Sequence, residues 1–190
     1  MVDIRNSEDP DAEVVRSVAE GSEKAFEQLV EKYEHSVLNT IYRYVGYRVE
    51  AEDIAQEVFL KVWRHASDFK GRSRFSTWLY RIVVNQCLGY RKKHKEKPET
   101  LEETIDKDRA SITPEAEIER RKKAEIVRMA IDELPRRQRI ALILSRFEGK
   151  SYKEIAQIMG VSLSTVESLI FRARGSLKKK LLPLKKKGEI

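Results

Sequence analysis

Residues 151–174 read SYKEIAQIMGVSLSTVESLIFRAR, and this stretch carries the clearest structural signals of the chain. Ser151 and Glu154 stand three positions apart and predict a capping box at the start of a short helix. Gly160 ends that helix, because glycine adopts the left-handed backbone that a helix end favours, and Ser162 follows as the cap of the next helix. The stretch therefore predicts a pair of helices joined by a tight turn.

The spacing of small and apolar residues narrows this pair to a helix-turn-helix. Ala156 allows the helices to cross closely, Gly160 makes the turn, and Val166 anchors the second helix. An ordinary helical hairpin with accidental spacing is the alternative, and the agreement of the caps favours the helix-turn-helix. The second helix would enter the major groove of DNA, with Arg172 and Arg174 near phosphates. Its outward early positions, where base edges are within reach, are Ser164, Thr165, Glu167, Ser168 and Phe171.

Helical periodicity covers most of the remaining chain, and no segment alternates as a β-strand does. Residues 94–113 are charge-rich, contain a proline and lack this periodicity, which predicts a linker. We therefore expect an all-α fold of two small helical domains, residues 11–93 and 114–183, joined by a flexible linker at 94–113. The predicted helices that precede the helix-turn-helix span about 11–20, 22–45, 50–66, 76–93, 114–134 and 136–148.

The same patterns place individual side chains. Asp11 is predicted to cap the first helix with its carboxylate. Phe147 falls on the buried side of the helix at 136–148, whereas Thr77 falls on the outward, polar side of the helix at 76–93.

The composition favours a binding protein with a polyanionic partner. The 190 residues include 38 Lys and Arg against 31 Asp and Glu, which leaves a net charge of +7 and a pI near 9.4. Part of this excess lies in the lysines at 178–180. They either add DNA affinity by counterion release or simply keep that end of the chain soluble, and both interpretations stay open.

The residue content argues against an enzyme. Cys87 is the single cysteine, the chain has 3 histidines, and it contains no glycine-rich phosphate loop, so we expect no catalysis, no metal and no cofactor. A lone cysteine also suits a reducing cytoplasm. The amino-terminal residues are polar and acidic, and no apolar run reaches about 18 residues, so we expect neither export nor a membrane span.

The helix at 50–66 has an unusual outward face. Asp53, Gln56 and Glu57 lie opposite its core side, and Leu60 stands among them. A solvated surface and a partner-docking face fit this spacing equally well. A cation between Asp53 and Glu57 is a third interpretation, although no histidine or further carboxylate completes such a site.

A basic loop, FKGRSRF at 69–75, leads into the helix at 76–93. Phe69 and Phe75 bracket this loop, and Trp78 lies at the margin of the helix's outward side. The polar and basic residues of the loop and of that side are Arg72, Arg74, Thr77, Arg81, Asn85 and Lys92.

At this point the chain resembles the extracytoplasmic-function sigma factors, specificity subunits of bacterial RNA polymerase in the sigma-70 family. The resemblance covers nearly the whole chain. It rests on four motifs in the family's order, EDIAQEVFLKVW, FSTWLYRIVVN, LPRRQRIALIL and TVESLIFRAR, with a variable linker between the second and the third.

The resemblance implies a non-catalytic protein that binds core RNA polymerase, selects promoters and helps nucleate their melting. Residues 11–93 would be the family's region 2 and residues 114–183 its region 4. Family members dock the helix that corresponds to 50–66 on the clamp helices of the polymerase's largest subunit. The implied core-binding residues are Asp53, Gln56, Glu57 and Leu60.

The resemblance also assigns the DNA contacts. Region 2 would read the unpaired minus-ten element, with Asn85 as the leading base reader, and the helix-turn-helix would read the minus-thirty-five element. A purely structural role for Phe75 and Trp78 remains open. The implied minus-ten residues are Phe69, Arg72, Arg74, Phe75, Trp78, Arg81, Asn85 and Lys92. The implied minus-thirty-five residues are Ser164, Thr165, Glu167, Ser168, Phe171, Arg172 and Arg174.

Members of this family are usually restrained by an anti-sigma protein, so the resemblance implies such a partner and a cytoplasmic location, in some cases at the inner face of the membrane. The competing hypothesis is an autonomous regulator that binds palindromic duplex DNA as a dimer. That hypothesis needs only the helix-turn-helix and leaves Asp53, Gln56 and Glu57 unexplained.

Overall fold

The computed structural model describes residues 9–46, 48–93 and 114–188. These ranges contain α-helices, one short 3-10 helix at Ala66–Asp68 and no strand, so the predicted all-α class is confirmed. The predicted linker at 94–113 lies outside the described residues. The helices are α1 (Ala12–Ala19), α2 (Glu23–Val45), α3 (Arg48–His65), α4 (Phe75–Lys93), α5 (Pro114–Asp132), α6 (Arg136–Arg146), α7 (Tyr152–Met159) and α8 (Leu163–Lys186).

Helices α2, α3 and α4 pack around a buried apolar core, with α1 lying against α2. α2 begins where the Ser22 hydroxyl accepts a hydrogen bond from the Ala25 amide, and it ends at Gly46, whose φ of 93° is left-handed. A Cβ at Gly46 would meet the Arg128 guanidinium of α5 at 3.0 Å. Glycine therefore permits both the helix end and the close approach of α5.

The predicted caps of the helix-turn-helix are confirmed. Ser151 and Glu154 form a reciprocal capping box at the start of α7, and Gly160 ends α7 with a φ of 63°. The Ser162 hydroxyl accepts from the Thr165 amide at the start of α8. Each of these bonds satisfies a helix-end group that has no partner within its helix.

The two halves, α1–α4 and α5–α8, share one continuous apolar core. At its edge Arg139 of α6, only 1% exposed, donates to the Tyr44 carbonyl at the end of α2 over 3.1 Å and pairs with Asp132 over 3.0 Å. A cation at a helix C-terminus is favoured by the helix dipole, and its ion pair offsets part of the cost of burying it. The bond to the Tyr44 carbonyl therefore joins the two halves, while the ion pair with Asp132 lies within α5–α8.

The predicted cap at Asp11 is wrong. Asp11 stands at the N-cap position of α1, but its side chain makes no capping hydrogen bond. Its two oxygens instead accept from Lys32 Nζ and the Tyr33 hydroxyl, each over 2.5 Å. The carboxylate is almost fully buried and joins the amino-terminal segment to α2.

Two further placements are also wrong. Thr77, predicted on the outward side of α4, is buried. Phe147, predicted in the core, is 44% exposed, because α6 ends at Arg146 and the helical periodicity does not reach it. Its ring contacts the Arg43 guanidinium, which lies 4.3 Å from the ring centre.

No single helix among the described residues is long and apolar enough to cross a membrane. The pair α7 and α8 meets the length and composition criteria together, but its axes are bent by 105° at the turn of the helix-turn-helix.

Candidate nucleic-acid and partner interfaces

α3 presents an apolar and acidic face to solvent. Val49, Asp53, Gln56 and Leu60 follow one another at steps of four, three and four, which aligns them along one side of the helix. Val49 is 65% exposed and Leu60 39% exposed. Exposed apolar side chains among polar groups are typical of a protein-binding surface.

The sequence-predicted residues of this face, Asp53, Gln56, Glu57 and Leu60, are all exposed in the structure, as expected. Val49 was missed, because it precedes the predicted start of the helix at 50. Its spacing to Asp53 and Gln56 would have revealed it once α3 was extended to Arg48. Among the residues that the structure describes, no group of three or more His, Cys, Asp or Glu side chains is placed to hold a metal ion.

An aromatic cluster supports the loop before α4. Phe75 is 1% exposed, and its ring centre lies 5.5 Å from that of Tyr33, 5.9 Å from Phe69 and 5.8 Å from Trp78. Edge-to-face contacts of this kind stabilise an aromatic core beyond simple burial. Phe75 thus packs inside the domain, whereas Phe69 and Trp78 keep part of their surface exposed.

The loop and the outward side of α4 form a basic surface. Arg72, Arg74, Arg81 and Asn85 are exposed there. The side chain of Lys92 lies outside the described residues. A cavity of about 270 Å³ opens on this surface. It is lined by Arg72, Ser73, Thr77, Trp78, Arg81 and Gln157.

One wall of this cavity comes from the other half of the molecule. An Arg81 guanidinium nitrogen donates to the Gln157 carbonyl of α7 over 2.7 Å. The neighbouring Tyr80 hydroxyl donates to Glu148 over 2.6 Å, and Lys150 Nζ lies 4.8 Å from the centre of the Tyr80 ring. The basic surface of α4 is therefore partly covered by α7 and by the segment that precedes it.

Two ionisable groups at the contact between the halves, Tyr80 and Glu154, have shifted pKa values. Burial, followed by the hydrogen bond to Glu148, raises the pKa of Tyr80, so its hydroxyl stays protonated and donates at neutral pH. For Glu154, burial opposes ionisation, but hydrogen bonds from Ser151 and the nearby charges of Lys150 and Arg74 lower the pKa overall. Arg74 of one half thus lies close enough to stabilise a carboxylate of the other half.

The outward face of α8 is open. Phe171 is 79% exposed. Thr165 is only half-buried, and its hydroxyl lies 2.8 Å from that of Ser162, which shares in the helix cap. Leu163, also exposed, is an apolar neighbour that sequence analysis did not single out. The other predicted residues on this face, all exposed, are Ser164, Glu167, Ser168, Arg172 and Arg174.

The lysines beyond this face differ in their surroundings. Lys178 and Lys179 are exposed, while Lys180 pairs with Glu133, the residue that follows α5. Cys87 is fully buried in α4, and that burial raises the pKa of its thiol to about 12. A protonated, inaccessible thiol is a packing residue rather than a nucleophile.

Comparison with known proteins links these surfaces to a family. Residues 29–97 match the family described as Sigma-70 region 2, and residues 124–177 match Sigma-70, region 4. The chain is 38% identical over 189 residues to the RNA polymerase sigma-H factor of Pseudomonas aeruginosa, a match that covers 94% of this chain and 97% of that protein. It is 36% identical over 183 residues to the ECF RNA polymerase sigma-E factor of Escherichia coli, covering 92% and 95%.

A solved structure shows the same fold. It is the sigma factor RpoE in complex with the anti-sigma factor NepR from Bartonella quintana, which superposes with a TM-score of 0.66 at 22% identity. The match covers 83% of this chain and 97% of that chain.

Proposed function

The chain belongs to the extracytoplasmic-function sigma factors of the sigma-70 family, non-catalytic subunits that bind core RNA polymerase and direct it to promoters, and we propose which of its surfaces perform each task. Residues 11–93 act as region 2 and residues 114–183 as region 4. The observation that carries this assignment is the presence, on one chain, of an apolar and acidic docking face and of separate basic faces on α4 and α8.

The docking face of α3 binds core polymerase. Val49 and Leu60 supply exposed apolar surface, and Asp53, Gln56 and Glu57 supply polar and anionic groups around it. Such an arrangement suits a helical partner with complementary basic groups, since apolar contacts contribute affinity and charges set the partner's orientation. The clamp helices of the largest polymerase subunit are the proposed partner.

The loop and outward side of α4 capture the minus-ten element. Asn85 has both donor and acceptor groups for the edge of an unpaired base, and Arg72, Arg74 and Arg81 face the phosphates. Trp78 offers the partly exposed ring on which such a base stacks. Lys92 remains a predicted phosphate contact.

The energetics of opening limit what region 2 does alone. Separating a dozen base pairs forfeits stacking of about 1.4 kcal/mol per step, on the order of 15 kcal/mol in total. Extruding one base costs only a few kcal/mol. This chain therefore nucleates melting, and the rest of the polymerase holds the open duplex.

The two halves must separate for both elements to be read. Elements centred about 25 base pairs apart are about 85 Å apart on straight duplex at about 3.4 Å per base pair. A compact chain of 190 residues has a radius of gyration of about 16 Å. The joined halves cannot span that distance, so the contacts of Arg81 and Arg139 across the halves open on the promoter.

An anti-sigma protein is the proposed inhibitor. The joined arrangement covers part of the α4 surface, so a partner that stabilises it would block promoter reading without occupying every DNA contact. The Bartonella quintana protein of similar fold was solved with an anti-sigma factor. We place the active chain in the cytoplasm and the inhibited chain at the inner membrane face where its inhibitor is membrane-anchored.

Transcription in vitro tests the assignment. Purified core polymerase is given a genomic fragment library with the wild type, with the Asp53→Ala plus Gln56→Ala variant, or with no added protein. We expect new start sites only in the reaction that contains the wild-type protein, and these sites should share one pair of upstream elements. The double variant should give none, because it lacks core-binding groups. A Glu23→Ala variant, altered at an exposed acid of α2, is the matched control and should behave as wild type.

Two results would contradict the proposal. If the double variant supports the same starts as the wild type, the docking face is misassigned. If no new starts appear although the protein binds palindromic duplex by itself, the autonomous dimeric regulator is the better account.

A further inference from the structure

α4 begins without a cap of its own. Helices α2, α7 and α8 are each preceded by a serine whose hydroxyl accepts a backbone amide, Ser22, Ser151 and Ser162. The residue before α4 is Arg74, whose guanidinium only donates hydrogen bonds. The first amides of a helix have no partner within it, so α4 needs an acceptor from elsewhere.

Asp9 supplies that acceptor from the other end of the domain's sequence. One of its carboxylate oxygens accepts from the Phe75 amide over 2.6 Å, across a separation of 66 residues. Its other oxygen accepts from the Asp11 amide over 3.2 Å. A carboxylate on a helix N-terminus gains both a charge-assisted hydrogen bond and the favourable field of the helix dipole.

The position of Asp9 is itself fixed by buried contacts. Asp11, two residues on, binds the Tyr33 hydroxyl and Lys32 Nζ. Burial, followed by the hydrogen bond to Asp11, raises the pKa of Tyr33, so this phenol remains a donor at neutral pH. The Tyr33 ring packs against Phe75, the residue whose amide Asp9 holds. The amino-terminal segment thus binds the Phe75 amide through Asp9, while Tyr33 of α2, which Asp11 binds, contacts the Phe75 ring.

We propose that Asp9 is a positioning residue for the minus-ten surface: its carboxylate holds the first turn of α4, and with it the basic loop and the Trp78 ring. This inference rests on the proposed function of that surface. Without the bond, the Phe75 amide has no acceptor and the first turn frays. Trp78, one turn along α4, and Arg74, next to Phe75, then lose their fixed positions.

Fluorescence tests the positioning without polymerase or DNA. The chain has 2 tryptophans, so Trp63→Phe leaves Trp78 as the only emitter. In that background we expect Asp9→Ala to raise the acrylamide quenching constant of Trp78 about twofold. Loss of a helix cap raises the equilibrium constant for opening the first turn by about fivefold, which exposes the ring more often. Asp9→Asn, which retains one acceptor oxygen, should restore part of the protection. Glu13→Gln, at an exposed acid of α1, is the control and should change nothing.

A second measurement uses DNA and the complete holoenzyme. On a promoter first mapped with the wild type, we expect Asp9→Ala to reduce initiation about fivefold, in line with the loss of a helix cap. The same variant should bind a duplex that carries only the minus-thirty-five element as tightly as the wild type, which shows that it is folded and that α8 is intact. Unchanged quenching together with unchanged initiation would overturn the inference. A wild type that yields no polymerase-dependent starts would overturn the proposed function instead.

Discussion

The two helices proposed to read DNA, α4 and α8, differ in how much they depend on the rest of the molecule. α8 is capped by its own Ser162 and presents its outward face to solvent. α4 is held at its start by Asp9 and is partly covered by α7, through the bond from Arg81 to the Gln157 carbonyl. The proposed minus-thirty-five surface is therefore exposed in the free chain, whereas the proposed minus-ten surface depends on contacts with distant segments.

This difference suits the order of events at a promoter. The minus-thirty-five element is read as duplex, so a preformed face can bind it at once. The minus-ten element, in the function proposed above, is read as unpaired bases after melting has begun. If α4 binds single strands as proposed, its cover by α7 would keep that surface from nucleic acid until polymerase and promoter are both present.

The largest expected effect comes from the contact that joins the halves. Arg139→Met should lower the free energy of unfolding by about 3 kcal/mol, because it removes a buried partner of Asp132 and of the Tyr44 carbonyl. Urea denaturation followed by circular dichroism measures the loss. Arg137→Met, at an exposed neighbour, is the control.

Arg139→Met also tests whether α4 depends on the other half of the molecule more than α8 does. In the Trp63→Phe background, separation of the halves should increase acrylamide quenching of Trp78 while leaving duplex binding by α8 unchanged. A stability loss below about 1 kcal/mol with no change at Trp78 would mean that Arg139 does not hold the halves together.

Alkaline pH should lower the folding stability through buried thiol and phenol groups of α2 and α4. Folding raises the pKa values of Cys87, Tyr33 and Tyr80, so their contribution to stability is complete below the unfolded values and is lost as pH rises beyond them. The loss begins above about pH 8.5 for the thiol and about pH 10 for the phenols, at up to about 1.4 kcal/mol per pH unit for each group. α8 contains neither residue type.

A pH series of urea denaturation checks this expectation. Cys87→Ala should remove the earliest part of the decline, and Tyr80→Phe a later part. A stability that stays constant to pH 11 would contradict the assigned burial of these groups.

A smaller effect is expected for DNA binding by the outward face of α8. Phe171→Ala should weaken binding to the minus-thirty-five duplex about tenfold, because burying an apolar ring against DNA contributes on the order of 1.5 kcal/mol. Leu182→Ala, at an exposed apolar residue further along α8, is the control. Fluorescence anisotropy with the mapped element measures both. Equal affinities for the two variants would remove Phe171 from the DNA contacts.

Local signals in the sequence predicted much of this architecture. The caps at Ser151 and Ser162 and the turn at Gly160 act within a few residues, so their chemistry is legible from spacing alone. The acidic face of α3 follows from helical periodicity in the same way. Helix limits shifted by only a few residues, enough to hide Val49.

Interactions between segments distant in sequence could not be predicted from residue spacing within single helices. Arg139 lies in a basic run that suggests exposure, yet it is buried because α2 ends against it. Asp9 precedes any predicted helix, and its partner is 66 residues away. Phe147 was placed in the core because its helix was extended to 148, whereas α6 ends at Arg146. Arg139 and Asp9 depend on contacts with segments distant in sequence, which no periodicity within a single helix records.

The distance between the two halves, measured in the free chain and in the promoter complex, shows whether the α4 surface is uncovered when the promoter is read. Spin labels are placed on Gln28→Cys of α2 and Lys153→Cys of α7, both at exposed positions, while the buried Cys87 stays unlabelled. Double electron–electron resonance should give one short, narrow distance in the free chain and a distance longer by tens of ångströms with core polymerase and promoter. The same distance in the free chain and in the promoter complex would contradict the claim that the α4 surface is uncovered when the promoter is read.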